Sequence, residues 1–234
     1  MGTPKPDIVY PVRPGEWNEE LRFSLRSLSL LPHNRVWIIG HKPSWVRGVH
    51  HVPRNQTESK YLNATRALVE ITDELGASMS KPFLLLNDDF YVTRPIRRMP
   101  VYHMGPVREV IDRYRRLRHM GSYWRGMVET FELCQELGIK DPLSYELHIP
   151  MPIYRAPLLE AWEKGKGLKV LHIRTLYGNL ARLGGRYMED VKVYRGKTKD
   201  WESWPFLSSN DDLSLSGVGP HIKALFPEPG PYEQ

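Results

Sequence analysis

Short apolar runs recur through the first hundred residues, and they constrain the fold more than any other feature of the sequence. Residues 7–12, 35–40 and 83–86 are rich in aliphatic, β-branched and aromatic side chains, and a weaker run lies at residues 49–52. Each run has the length of a strand and ends at a glycine, a proline or a polar cluster. The runs therefore predict buried β-strands.

Amphipathic segments separate these predicted strands. After Asn18, which can cap a helix, leucines recur at helical spacing as far as Leu28, and residues 61–75 show a similar repeat. Alternating strands and helices are typical of a largely parallel sheet that binds ligands beyond the carboxyl ends of its strands. We therefore predict an α/β fold with a mostly parallel central sheet flanked by helices, in a single domain spanning residues 1–234.

The pattern is weaker beyond Pro100. Helical spacing predicts further helices at residues 107–117, 127–137 and 156–164. Residues 201–234 are rich in proline, which interrupts helices and central strands. We expect this C-terminal stretch to wrap over the domain in extended form.

The composition argues against several classes of protein. Cys134 is the only cysteine, so an internal disulfide is excluded, and no Cys/His cluster has the spacing of a zinc site. The apolar runs are far shorter than the roughly 20 residues of a membrane-spanning helix, and the first residues have no signal-peptide pattern. We expect a cytoplasmic protein with no membrane partner.

Positive charge is concentrated in one part of the chain. The net charge is +6, and nine arginines lie between positions 94 and 125: Arg94, Arg97, Arg98, Arg108, Arg113, Arg115, Arg116, Arg118 and Arg125. Such a density could bind a polyanion through its phosphates, or it could form a solvated face that keeps the protein soluble. The sequence leaves both interpretations open.

Three oxygen-bearing side chains, Asn87, Asp88 and Asp89, follow the predicted strand at residues 83–86. Because side chains alternate along a strand, Asn87 and Asp89 lie on the same side and could both bind one divalent cation, Mn²⁺ or Mg²⁺. Such an ion would neutralise charge on a departing nucleotide diphosphate. The same residue types are also common in turns after strands, so the spacing by itself favours a turn.

Segments along nearly the whole chain also match a family pattern in the right order. They are residues 19–28, 36–39, 43–46, 85–90, 148–150, 209–212 and 225–227, with Arg174 near a position where a functional arginine is expected. Together they resemble conserved regions of the Stealth family, which are sugar-phosphate transferases with nucleotide-sugar donors and a glycosyltransferase-A-like core. The resemblance implies that fold, with a donor-binding half at about residues 1–100 and acceptor-side helices and the C-terminal wrap at about residues 101–234.

The first predicted strand departs from that family. Asp7-Ile8-Val9-Tyr10 resembles its first region, but Pro11-Val12-Arg13 follows where the family has Trp-Val-Asp-Gly, so an expected acidic residue is missing. This departure favours glycosyl transfer on a related scaffold. The small size and basic charge are similar to those of phage glycosyltransferases found beside DNA-base hydroxylases. That similarity implies a UDP-sugar donor and, as acceptor, double-stranded DNA carrying hydroxymethylated bases such as 5-hydroxymethylated cytosine, in the host cytoplasm if the protein is phage-encoded.

The resemblance also implies which side chains bind the donor. They are Arg13, Arg22, Arg26, Asp88 and Arg174. Arg13 follows the first predicted strand, where a base or diphosphate can be contacted, and a guanidinium group makes paired hydrogen bonds to phosphate. For Arg22 and Arg26, simple solvation of a helix surface is an equal alternative.

The candidate catalytic residues are His148, Asp211, Asp212 and Glu20, and His221 is a candidate metal ligand together with Asn87 and Asp89. Histidine titrates near neutrality and can accept the proton of an attacking hydroxyl. Glu20 would bind a sugar hydroxyl or act as a base, or it would only complement the dipole of a helix start. The segment at residues 209–212 is equally typical of a cap or turn.

Two other functions compete with glycosyl transfer. The first is Stealth-type transfer of a whole sugar phosphate to a glycan, which releases a nucleoside monophosphate where glycosyl transfer releases a diphosphate. The second is a non-catalytic nucleic-acid-binding protein, in which the arginines supply affinity and the Asn-Asp-Asp segment is an incidental turn.

Overall fold

Strands and helices alternate around a five-stranded sheet. The computed structural model describes residues 4–55, 60–75, 77–193, 200–210 and 212–234. The strands are β1 (Ile8–Val12), β2 (Val36–Gly40), β3 (His50–Val52), β4 (Phe83–Leu85), β5 (Phe90–Val92), β6 (Tyr102–His103), β7 (Met151–Ile153), β8 (Arg186–Tyr187) and β9 (Phe206–Ser208). The helices are α1 (Glu19–Ser27), α2 (Lys60–Leu75), α3 (Val107–Arg116), α4 (Ser122–Glu136), α5 (Arg155–Gly165), α6 (Ile173–Leu180) and α7 (Gly219–Leu225).

The central sheet has the strand order β3-β2-β1-β4-β7. Its first four strands are parallel, whereas β7 runs antiparallel to β4, with Met151 opposite Leu85. The predicted α/β fold with a mostly parallel sheet is therefore confirmed. Two smaller pairs, β5 with β9 and β6 with β8, lie outside this sheet.

Apolar side chains cover both faces of the sheet. Along β1, Ile8 and Tyr10 point into a core shared with Leu21 of α1, while Val9 points into a second core shared with Leu68 of α2. This is the two-residue alternation of a strand buried on both sides. Burying one large aliphatic side chain contributes roughly 1.5–3 kcal/mol, so the two cores fix the strand order and hold α1 and α2 on opposite faces.

The start of β1 is held by a buried carboxylate. Asp7 accepts hydrogen bonds from Nη2 of Arg35 at 2.7 Å, from the Asn34 side chain at 2.9 Å and from the Ser80 amide at 3.1 Å. Burial alone would raise the pKa of Asp7, but these bonds and the charge of Arg35 hold it below its ordinary value. Asp7 thereby ties β1 to the segments that precede β2 and β4.

Asn18 caps α1, as predicted. Its Oδ1 accepts a hydrogen bond from the Leu21 amide at 2.9 Å, while its Nδ2 donates to the Asp88 carboxylate at 2.8 Å. The cap satisfies one of the amides that a helix start leaves open. It also joins the beginning of α1 to the segment that follows β4.

The C-terminal stretch contains more regular structure than predicted. The expectation of an extended wrap at residues 201–234 is wrong in part, because β9 pairs with β5 and α7 follows it. Pro220 lies at the beginning of α7, where a helix does not need the amide hydrogen that proline lacks. No helix in the described part of the chain combines the length and apolar character needed to cross a membrane.

Candidate active site

A cleft of about 340 Å³ lies at the carboxyl ends of β1 and β4. The segment 11–13 after β1 and the Asn87-Asp88-Asp89 segment after β4 line one part of it. Residues of α2, including Thr65 and Leu68, and the start of α6 line other parts. The sequence predicted a ligand site beyond these strand ends, and the cleft lies there.

The antiparallel strand β7 brings a distant segment to the same edge. Because Met151 is opposite Leu85, the residues just before β7 lie beyond the carboxyl end of β4. Both Glu146 and His148 line the cleft together with Asp89. The sequence suggested His148 as a candidate catalytic residue, but it gave no indication that β7 pairs with β4 and brings His148 to the same cleft as Asp89.

His148 is held by Asp190. Its Nδ1 donates to the two carboxylate oxygens of Asp190 at 2.9 and 3.0 Å, and its backbone amide donates to Oδ1 at 3.1 Å. Burial alone would raise the pKa of Asp190, yet the hydrogen bonds and charge of His148 hold it below its ordinary value. In a neutral ring with its proton on Nδ1, Nε2 is an acceptor.

Asp190 was missed by the sequence analysis. It follows His148 by 42 positions, and a separation of this length matches no helix or strand periodicity that would predict their contact. The edge of the His148 ring faces Phe90, with the two ring centroids 5.9 Å apart. These contacts fix the imidazole from two directions within the cleft.

The two aspartates after β4 have different surroundings. Asp88 accepts a hydrogen bond from Asn18, and burial, with the charge of Asp89 adding to it, raises the pKa of Asp88. Oδ2 of Asp89 accepts hydrogen bonds from Nζ of Lys192 at 3.2 Å and from Oγ of Ser208 at 3.0 Å. Asp89 therefore already has a positively charged partner.

Arg13 and Arg174, two of the predicted donor-binding arginines, line the cleft. The Arg174 guanidinium donates to the Ile149 carbonyl at 2.6 Å and lies 5.6 Å from the centre of the Phe90 ring. Burial lowers the pKa of Arg174 from its ordinary value, and the negative charge of Glu146 opposes this decrease. An arginine remains charged at any physiological pH, so these two side chains give the cleft fixed positive charge.

Glu20 also lines the cleft. Its carboxylate accepts a hydrogen bond from the Leu213 amide at 2.9 Å. Burial, with the charge of Asp88 adding to it, raises the pKa of Glu20. The structure thus brings Glu20, Arg13, Asn87, Asp88, Asp89, His148 and Arg174 of the predicted set to one cleft.

Other predicted donor-binding residues lie elsewhere. The Arg22 guanidinium stacks over the Trp45 ring at 4.6 Å, and Arg26 pairs with the carboxylate of Glu233 at 2.6 and 2.8 Å. Neither arginine lines the cleft. Both occupy the polar face of α1, which packs against the C-terminal residues.

Two of the later candidates, Asp212 and His221, also lie outside the cleft. Asp212 caps the short 3₁₀ helix at Leu213–Leu215, accepting from the Ser214 amide at 2.9 Å. His221 packs edge-on against Trp201, with ring centroids 5.0 Å apart. Asp211 lies outside the described residues.

The predicted metal ligands do not meet as a set. Asn87 and Asp89 line the cleft, but His221 does not, and Asp89 is bound by Lys192. Within the described ranges, no three histidine, cysteine or acidic side chains are close enough to hold a metal ion. In the described part of the chain, histidine, cysteine and acidic side chains therefore form no metal site by themselves.

The nine arginines between Arg94 and Arg125 are exposed, and part of this segment leads to the cleft. Residues 115–122 form a continuous exposed segment between α3 and α4. Tyr123, in the first turn of α4, lines the cleft. The exposed stretch at residues 115–122 therefore leads directly to a residue of the cleft.

Comparisons with known proteins address the fold. No protein-family model matches the sequence, and no curated protein matches it closely enough to count as a relative. Among solved structures, the chain is similar to the galactosyltransferase LgtC in complex with donor and acceptor sugar analogues. The identity is 12%, the match covers 97% of this chain and 98% of the other, and the TM-score is 0.51.

A second similar structure is a glycosyltransferase involved in the glycosylation of the major capsid of PBCV-1. It is 12% identical, with 95% of this chain and 98% of the other covered and a TM-score of 0.44. At such low identity the likeness to LgtC bears on the fold alone. Together with the strand order, it shows that this chain has a mixed α/β fold of the glycosyltransferase-A type.

Proposed function

We propose that the protein transfers a sugar from a nucleotide-sugar donor to a hydroxyl group of an acceptor. The observation that supports this most is the His148–Asp190 pair, whose histidine lines the same cleft as the Asn87-Asp88-Asp89 segment. A histidine oriented by a carboxylate is an effective general base, and the strand ends beside it are where α/β folds bind nucleotides.

In the proposed reaction, Nε2 of His148 accepts the proton of the acceptor hydroxyl as its oxygen attacks the anomeric carbon of the donor. The bond between that carbon and the diphosphate oxygen breaks, and the diphosphate leaves with the electron pair. Asp190 keeps the ring proton on Nδ1 and stabilises the imidazolium that forms. General-base catalysis of this kind contributes about 10²- to 10⁴-fold in rate.

The proposed donor is a UDP-sugar. Arg13 and Arg174 line the cleft and carry charges that complement a diphosphate. A divalent cation, Mn²⁺ or Mg²⁺, at Asn87 and Asp89 stays a prediction, because Lys192 already binds Asp89 and the described residues hold no cluster of three histidine, cysteine or acidic side chains. The transfer described above depends on side chains alone.

For the acceptor, we propose double-stranded DNA that carries hydroxymethylated bases. The support is the set of exposed arginines, one of which, Arg125, follows the cleft residue Tyr123 closely in the chain, because such arginines could neutralise backbone phosphates. A hydroxymethyl group supplies the primary hydroxyl that the His148 base would activate.

The test incubates the protein with hydroxymethylated double-stranded DNA and a panel of nucleotide sugars, then analyses the digested nucleosides by mass spectrometry. We expect one nucleoside to gain a hexose or pentose mass, and we expect release of a nucleoside diphosphate. His148→Ala should abolish the product. Release of a nucleoside monophosphate would instead indicate sugar-phosphate transfer of the Stealth type.

A non-catalytic role would give a different result. In that case the protein would bind DNA in a salt-sensitive manner, release no nucleotide and bind no nucleotide sugar. That combination would refute the proposed transferase.

A further inference from the structure

Lys192 directs an ammonium group at the carboxylate that the sequence suggested for a metal ion. Its Nζ is 3.2 Å from Oδ2 of Asp89, and the two side chains are each 16% exposed. Ser208 donates to the same carboxylate oxygen at 3.0 Å. The lysine therefore supplies positive charge where a divalent cation would otherwise bind.

The backbone holds this lysine in place. Lys192 pairs with Ser208 in a parallel bridge, and Ser208 belongs to β9, which pairs with β5 directly after Asp89. The neighbours Val191 and Val193 are buried in the core. Because side chains alternate along extended backbone, Lys192 and Asp190 face the same side; Lys192 lines the cleft, and Asp190 holds His148, which lines it too.

We propose that Lys192 binds the diphosphate of the nucleotide-sugar donor, so that donor binding does not require a divalent cation. This inference rests on the proposed function. An ammonium group is a compact cation with three hydrogen-bond donors, so it can keep Asp89 as a partner and donate to a phosphate oxygen at once. Arg13 and Arg174 line the same cleft and add charge to the same ligand.

The arrangement also accounts for the incomplete metal site. Oδ2 of Asp89 already accepts hydrogen bonds from two donors, so this carboxylate could bind a metal ion through both oxygens only by losing them. A lysine on rigid backbone places its charge without the further oxygen ligands that Mg²⁺ or Mn²⁺ needs. In this protein the charge of the chain itself takes over the electrostatic role of the ion.

Binding of UDP to the purified protein tests the inference by calorimetry, in EDTA and separately in Mn²⁺. We expect the wild type to bind UDP in EDTA, and Lys192→Met to weaken that binding about ten- to a hundredfold, as expected for a lost charged hydrogen bond. The matched control is Lys223→Met on α7, which removes a lysine paired with Glu19 at 2.9 Å outside the cleft. The control should bind UDP like the wild type.

Three results would overturn the inference. If the wild type binds UDP in Mn²⁺ but not in EDTA, Lys192 does not replace the ion, while the proposed transferase still stands. If Lys192→Met binds UDP in EDTA as tightly as the wild type, the lysine does not contact the diphosphate. If the wild type binds no UDP or other nucleoside diphosphate under either condition, the proposed function fails as well. The wild-type comparison needs no variant, so it decides even if Lys192→Met does not fold.

Discussion

Replacing Arg26 with methionine should destabilise the protein without weakening donor binding. Arg26 donates to both oxygens of Glu233, from Nε at 2.6 Å and Nη2 at 2.8 Å, and from Nη1 to the Phe226 carbonyl at 2.8 Å. The Glu233 side chain is only 6% exposed. Without the arginine, that carboxylate would remain charged and largely cut off from water.

The expected loss follows from these contacts. Removing one partner of a buried ion pair costs about 3–5 kcal/mol. Two partners of Glu233 would remain, the Gly230 amide at 2.9 Å and the Arg22 guanidinium at 3.7 Å, so we expect the lower end, about 3 kcal/mol. For a chain of this size, 1 kcal/mol shifts Tm by about 2–4 °C, so Tm should fall by about 6–12 °C.

Thermal unfolding followed by circular dichroism measures the loss, and UDP titration by calorimetry measures donor binding. Arg113→Met, which changes an exposed arginine, is the control and should alter Tm little. The pKa of Glu233 lies below its ordinary value of 4.5, because hydrogen bonds from Arg26 outweigh burial. The ion pair therefore stabilises the protein above that pH and is lost as the pH falls further, so the difference between variant and wild type should shrink in acid. An unchanged Tm with tenfold weaker UDP binding would refute this reasoning and support the phosphate-binding role predicted for Arg26.

Asp190→Asn should lower kcat by about 10²- to 10⁴-fold with an unchanged Kd for UDP, because the base loses its orientation while the donor site stays intact; a weaker Kd with normal kcat would contradict this. The pKa of Asp7 in the folded protein lies below its ordinary value of 3.8, so its carboxylate stabilises the fold above that pH, and this contribution is lost as the pH falls below it. Asp7→Asn should therefore reduce the dependence of urea unfolding on pH between about pH 5 and about pH 3. Gly126→Ala should cost about 1–3 kcal/mol in chemical denaturation, since its new Cβ would lie 2.2 Å from the Val170 carbonyl oxygen. A Cβ at Gly121 would have open space around it, so Gly121→Ala should change the free energy of unfolding little. Equal losses for the two variants would argue against close packing of Gly126 on Val170.

The local elements were largely predictable, because each depends on a short stretch of sequence. The strands at residues 7–12 and 35–40 and the helix at residues 61–75 were predicted within one or two positions of where the structure has them. Their signals are the apolar period and the capping residue, and these act over a few residues. In contrast, β7 has only three residues, one of them a proline, so it had no detectable pattern.

The candidate site was predictable only where its residues follow a strand. Asn87, Asp88 and Asp89 come directly after β4, so their place at the sheet edge could be inferred from topology. Asp190 and Lys192 reach the cleft through tertiary packing, which their spacing in the sequence does not record. The periodicity of α1 identified its apolar face but not what packs on the polar face, and so it could not show that Arg26 binds Glu233.

The pairing of β4 with β7 has a consequence for how the protein folds. Met151 lies opposite Leu85, and the intervening chain, which includes α3 and α4, must close as one long loop before the two strands can meet. Contacts between such distant segments form slowly, because the entropy of loop closure is lost before the contacts compensate for it. Asp89 and His148 stand at the two ends of that loop. The cleft is therefore assembled late, and a nucleotide present during refolding should bind only after β7 has joined the sheet.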